Sequence, residues 1–155
     1  MPLLRAALSW NFVLATAICA SLLAQLIKVL LNLFIFHRFI AERMWGAGGM
    51  PSSHSATVCA MVVATGRYCG VNSPIFAIAA VLSIIVMYDA MGVRYETGEQ
   101  AKVLNRMFTE WMDQGFEQFQ LPHGKKLKEM VGHTPIEVVT GAVLGIVLGF
   151  AMPMM

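Results

Sequence analysis

Charge is what this 155-residue chain has least of. Asp, Glu, Lys and Arg make up 13% of it, where soluble globular chains carry about 25%. So little charge excludes a disordered chain, a coiled coil and a nucleic-acid-binding domain, each of which depends on dense charge. Cysteine is also scarce. Cys19, Cys59 and Cys69 lie in or beside apolar runs and form no CxxC pair, which argues against a zinc or disulfide framework. They read as small buried hydrophobes. There is no internal repeat and no low-complexity segment. The net charge of +2 is too small to indicate a partner.

What the chain does have is apolar surface. The residues AVILMFWYC make up 57% of it, and the mean hydropathy is +0.66. A bilayer is the solvent that suits this composition. Three runs, Trp10 to Ile27, Val71 to Tyr88 and Val138 to Met155, each hold eighteen uncharged residues, within the roughly 17–25 that a span needs. Lys28 interrupts the first run, which resumes from Val29 to Phe36. A fourth stretch, Ser55 to Gly66, is shorter and stopped by Arg67. It suits a helix buried among the others or spanning only partly. Arg5 and the Ala-Ile-Cys-Ala before Ser21 imitate a signal peptide. The apolar run continues past that point, which suits a retained helix better. The expected fold is all-α: one integral membrane helical bundle over 1–155, with about four membrane helices.

A different pattern fills 95–130. Val103, Leu104, Met107, Phe108, Trp111, Met112 and Phe116 recur at three- and four-residue spacing. Glu99, Lys102, Arg106, Glu110, Asp113 and Glu117 occupy the other side. That is an amphipathic helix, expected in the membrane interface, with an ordinary solvent-facing hairpin helix as the alternative. Gln118 to Lys128, with Pro122, Gly124 and three lysines, reads as a loop.

If the helices alternate in direction, four ends share one face: those near Phe36, Ser53, Asp89–Arg94 and Pro135. All four histidines and all nine acidic residues lie at that face. Ionisable groups at membrane depth are unfavourable and usually functional. The face carries Arg38, Arg43, Arg94, Lys102, Arg106, Lys125, Lys126 and Lys128, and the opposite face Arg5 and Arg67. The positive-inside rule then directs the polar face to the cytoplasm.

Two motifs stand there. Pro51-Ser52-Ser53-His54 follows Gly48-Gly49 and opens a helix. Glycine lets backbone approach closely, and a helix N-terminus offers free N–H groups and a positive dipole to an anion such as phosphate. Ser52 and Ser53 add hydroxyls, and His54 can donate a proton. The plainer alternative is a serine cap with a bystander histidine. In His133-Thr134-Pro135-Ile136-Glu137, a four-residue spacing brings imidazole and carboxylate together. A carboxylate on one imidazole nitrogen leaves the other free to attack. Alternatively Glu137 is a first-turn acid favouring the helix dipole. His plus carboxylate can also hold zinc, but no His-x-x-x-His or Cys pair supports that.

Together, Gly-Gly-Met-Pro-Ser-Ser-His-Ser from Gly48, Tyr88-Asp89-Ala90-Met91-Gly92-Val93-Arg94, and Val131-Gly132-His133-Thr134-Pro135 resemble the short divergent branch of the type 2 phosphatidic acid phosphatase superfamily, related to vanadium-dependent haloperoxidases. The resemblance runs from about Gln25 to Gly145. Pro51, Ser52 and His54 match its Pro-Ser-Gly-His motif, with Ser53 for Gly. His133-x-Pro135-x-Glu137-Val138-x-x-Gly141 fits its H-x-P-x-D-V-x-x-G, with Glu for Asp. Lys28 stands as the first-motif lysine. Position 35 is Ile where that motif has Arg, and the nearest arginine is Arg38. Position 127 is Leu where the third motif has Arg, so Arg94 is the candidate there.

The resemblance implies phosphoester hydrolysis without a metal or other cofactor. His133 would be the nucleophile, Glu137 its orienting carboxylate and His54 the general acid. Lys28, Arg38, Ser52, Ser53 and Arg94 would bind the phosphate. Asp89 has no place in that scheme and would orient Arg94 or His54, or pair with a lysine. A site at the mouth of a membrane bundle implies a lipid phosphate as substrate and the bilayer as partner, with no nucleic acid. A homo-oligomer is compatible with the sequence. The alternative is an inactive membrane binding or scaffold protein of the same fold. A small transporter would need polar residues on both faces.

Overall fold

The computed structural model describes residues 11–36, 49–114, 126–129 and 131–154. Among the described residues there are five helices: α1 (Phe12–Phe36), α2 (Ser53–Cys69), α3 (Pro74–Met91), α4 (Val93–Asp113) and α5 (Pro135–Ala151). No strand occurs among the described residues. Helix α1 and the helical stretch opening at Pro74 are long and apolar enough to cross a bilayer. Helix α5 is also apolar, apart from Glu137 in its first turn, but shorter.

Contacts along the helices set their directions. Gln25 meets Ser53 at one end of the α1–α2 pair and Phe12 meets Tyr68 at the other, so these helices are antiparallel. Helices α2 and α3 are antiparallel as well, since Gly66 lies beside Phe76 and Cys59 beside Met87. Helix α5 runs parallel to α2: Gly141 packs on Ser52, Gly145 on Ala56, and Gly149 on Ala60 and Val63. The end of α1, the start of α2, the end of α3 and the start of α5 therefore share one end of the bundle, as the alternation argument expects.

Helix α2 is central and touches α1, α3 and α5. Its inward positions are small: Ser53, Ala56, Cys59, Ala60 and Ala64 are buried. Ala20 and Ala24 of α1 pack against Ala56 and Ala60. Bulky side chains point outward instead, with Ile18, Leu22 and Leu26 on α1, Ile78, Leu82 and Ile85 on α3, and Val139, Val143 and Val147 on α5 all exposed. In water such a surface would be a liability. In lipid it is the expected solution, because tails are as apolar as leucine and close backbone packing of small residues holds the helices together.

Three boundaries differ from the sequence reading. Helix α1 runs unbroken through Lys28, which is buried inside the bundle. Helix α4 begins at Val93, directly after α3, with Gly92 the one residue between them. Arg94 thus stands in the first turn of α4 and does not end α3. One glycine separates the two helices and leaves no loop. The third boundary is the end of α4 at Asp113, with Phe116 and Glu117 outside the described residues. Among the described helices α4 touches α3 alone. Its apolar Val103, Leu104 and Met112 are exposed, as an amphipathic helix beside lipid requires.

At the far end, Arg67 donates to Gly149 O at 2.6 Å and Met152 O at 2.7 Å and lies over the Phe12 ring at 5.6 Å. It satisfies carbonyls that the end of α5 leaves unbonded and ties α1, α2 and α5 together.

Candidate active site

The site starts from Pro51. Glycine at 49 adopts φ 95°, and a Cβ there would lie 3.6 Å from the Lys28 stem. The loop into α2 therefore lies against that lysine. Ser52 caps α2, its hydroxyl accepting from Ser55 N at 3.3 Å and from the Ser55 hydroxyl at 3.1 Å. Its own N–H donates to Glu137 O at 2.9 Å, which fixes the start of α2 against the start of α5. The capping reading of Ser52 therefore holds in the structure. Ser53 takes a 3.4 Å hydrogen bond from Gln25 Nε2.

His133 precedes α5. Its backbone N–H donates to Ala90 O at 3.0 Å, and the residue is 1% exposed. Its Nδ1 meets Glu137 Oε2 at 3.1 Å. The same carboxylate oxygen accepts from Thr134 N at 3.2 Å. The two readings of Glu137, orienting carboxylate and first-turn cap, are thus met by one group. The His54 and His133 rings stand edge to face with centroids 5.9 Å apart.

Lys28 is 1% exposed, and its Nζ has no hydrogen-bond partner among the described residues. Nor does His133 Nε2, nor Gln25 Oε1. Buried polar groups are ordinarily satisfied, so three such atoms at one end of a bundle mark a site shaped for something polar. Lys28 is within electrostatic reach of Glu137 and His54, as is Arg94 of His54. Arg94 Nε pairs with Asp89 Oδ2 at 2.6 Å. Of the roles left open for Asp89, the structure shows the pairing with Arg94.

The structure brings together Lys28, Ser52, Ser53, His54, His133 and Glu137, with the Asp89–Arg94 pair at the rim. Arg38 lies outside the described residues. Gln25 was missed in the sequence. Its signal was there: an amide inside an apolar run, three residues before Lys28 and so on the same helix face. Among the described residues, no three His, Cys, Asp or Glu side chains gather to hold a metal ion.

The chain matches the model of the divergent PAP2 family over residues 9–148. It is 38% identical over 144 residues to the "Uncharacterized membrane protein YuiD" of Bacillus subtilis (strain 168), covering 89% of this chain and 91% of that one. No solved structure matches it. With its apolar helices, its inward small residues and a Pro-Ser-Ser-His turn facing a His-x-x-x-Glu turn, this chain is a membrane protein belonging to the divergent PAP2 family.

Proposed function

We propose that this protein is a membrane phosphatase that hydrolyses a phosphomonoester or diphosphate of a lipid through a phosphohistidine. One observation carries the reading: His133 Nε2 is buried without a partner among the described residues while Glu137 holds Nδ1. Imidazole held in that way keeps a lone pair on Nε2 for attack. In the first step Nε2 attacks phosphorus, the P–N bond forms and the ester P–O bond breaks. His54 gives its proton to the departing oxygen. In the second step water attacks phosphorus, His54 takes up its proton, and the P–N bond breaks to release phosphate. Lys28, Arg94 and the N–H groups at the start of α2 balance the charge of the phosphoryl oxygens, which is most of the catalytic work in such transfers. Ser53 and Gln25 line the same place.

Exposed apolar side chains flank these groups on three elements: Ile136 beside Glu137, Tyr88 beside Asp89, and Val93 beside Arg94. They suit a substrate whose tail stays in lipid while its phosphate enters the site. The basic residues at this face support an orientation toward the cytoplasm in the cell membrane. Labelling by an impermeant reagent in intact cells, in a Gly124→Cys variant from which Cys19, Cys59 and Cys69 have been removed, would contradict that orientation.

The deciding experiment is phosphate release by the purified protein in bilayer vesicles. Phosphatidate, phosphatidylglycerophosphate and isoprenyl mono- and diphosphates serve as substrates. Release that resists EDTA and is blocked by vanadate is expected, since vanadate imitates five-coordinate phosphorus on His133. Activity that EDTA removes and zinc restores would overturn the mechanism. Vanadate binding without release from any substrate would favour an inactive binding protein of this fold.

A further inference from the structure

The stretch between α4 and α5 does not hang free where it is described. Asn105, buried on α4, donates through Nδ2 to Leu127 O at 2.9 Å and accepts through Oδ1 from Leu127 N at 2.8 Å. The same Nδ2 reaches Glu129 Oε1 at 2.8 Å. The strap then runs back toward the start of α4. A Cβ on Gly98 would lie 2.6 Å from Glu129 O and 2.8 Å from Val131 O. Gly132, at φ 88°, sits directly against the backbone of Arg94 and Tyr95. The next residue is His133, hung on Ala90 O.

We propose that Asn105 is a positioning residue for His133: it clamps the strap to α4, and the strap sets how the imidazole enters the site. This rests on the phosphatase reading of His133. Glu137 holds the ring from the side of α5, but the residue preceding His133 is glycine, the least restrained link a chain can have. The bond to Ala90 O holds one point of that backbone, and the strap leading into Gly132 supplies the second. Asn105 is suited to this, because one amide can bond both the N–H and the C=O of a neighbouring residue. The described buried positions of α4, Gly98, Ala101 and Asn105, form one stripe. The strap covers both its ends, while the apolar side of α4 stays exposed. The inserted helix is thereby a platform for the nucleophile.

The test uses the full chain in bilayer vesicles, with kcat and KM on a lipid phosphate and the imidazole 15N resonances of His133 as separate readouts. Asn105→Ala is expected to lower kcat roughly 10- to 100-fold with KM nearly unchanged, the usual effect of a small misplacement, and to shift the His133 resonances. Asn105→Asp is expected to do the same, since two carboxylates then face each other. Adding Glu129→Gln to it removes the facing carboxylates and restores a donor–acceptor pair beside the Leu127 N–H bond, but leaves the Leu127 carbonyl without its donor, so partial recovery of both readouts is expected. Wild-type kcat with unmoved resonances in Asn105→Ala overturns the proposal. So does a loss of kcat with unmoved resonances. If the wild-type protein hydrolyses no lipid phosphate, a resonance shift in Asn105→Ala still upholds the anchoring, and only the phosphatase reading falls.

Discussion

His54, in the first turn of α2, and His133, just ahead of α5, meet edge to face, their ring centroids 5.9 Å apart. The contact depends on two backbone bonds that fix the loops carrying them, Ser52 N to Glu137 O at 2.9 Å and His133 N to Ala90 O at 3.0 Å. A nucleophile and a proton donor at this separation can act on opposite sides of one phosphorus atom.

The two histidines are expected to fail differently. His133→Ala should abolish turnover. His54→Ala should lower it about 10²–10⁴-fold, and less on substrates whose leaving group needs no proton, such as an aryl phosphate. Equal losses on both substrate types would remove His54 from the role of general acid.

Glu137→Gln separates the two duties of that residue. Glutamine at this position of a helix start still serves the cap, so thermal stability should stay near wild type. The negative charge that steadies the phosphoimidazolium is gone, and kcat should fall about 10²–10⁴-fold, as when a triad carboxylate is neutralised. Full activity in this variant would leave Glu137 with its capping duty alone.

Lys28→Met makes the opposite trade. A buried ammonium without a partner is unfavourable, and an apolar side chain of similar volume in its place is often neutral or stabilising. The melting temperature of the ligand-free protein should hold or rise, while vanadate affinity and phosphate release collapse. A large loss of stability would show that Lys28 serves the fold.

Arg94→Lys tests the clamp at the rim. An ion pair through Nε leaves the two terminal nitrogens of a guanidinium for a second anion, a geometry lysine cannot supply. A clear fall in kcat/KM is expected from Arg94→Lys, and a smaller one from Asp89→Asn, which frees the arginine without removing it. An arginine that merely reaches toward headgroups would tolerate the change to lysine.

Helix α5 should be intolerant of side chains on one stripe. A Cβ on Gly145 collides with Ala56 O, and one on Gly141 with Ser52 O. Gly145→Ala is expected to lower stability by about 1–3 kcal/mol, the range for overpacking. Val143→Ala on the exposed side should be nearly neutral. Equal effects in thermal unfolding would contradict the parallel α2–α5 packing.

Whatever depends on spacing within one helix was already present in the sequence. The apolar runs placed α1, α3 and α5 because a bilayer demands length and lack of charge. The four-residue step from His133 to Glu137 specified their contact, and Pro51-Ser52 specified the start of α2. Alternation of direction was enough to collect the polar ends at one face. Contacts between distant segments were another matter. The resemblance named Lys28 as a phosphate ligand, but nothing near it announces that its ammonium is buried, since a lysine in an apolar run also suits a helix end. Asn105 looks like any polar residue of an amphipathic helix until the strap lies over it. Arg67 reads as a stop signal, yet its guanidinium closes the end of α5. Each of these three meets its surroundings only after helices far apart in sequence have packed, and burial and hydrogen-bond partners exist only in that packed state.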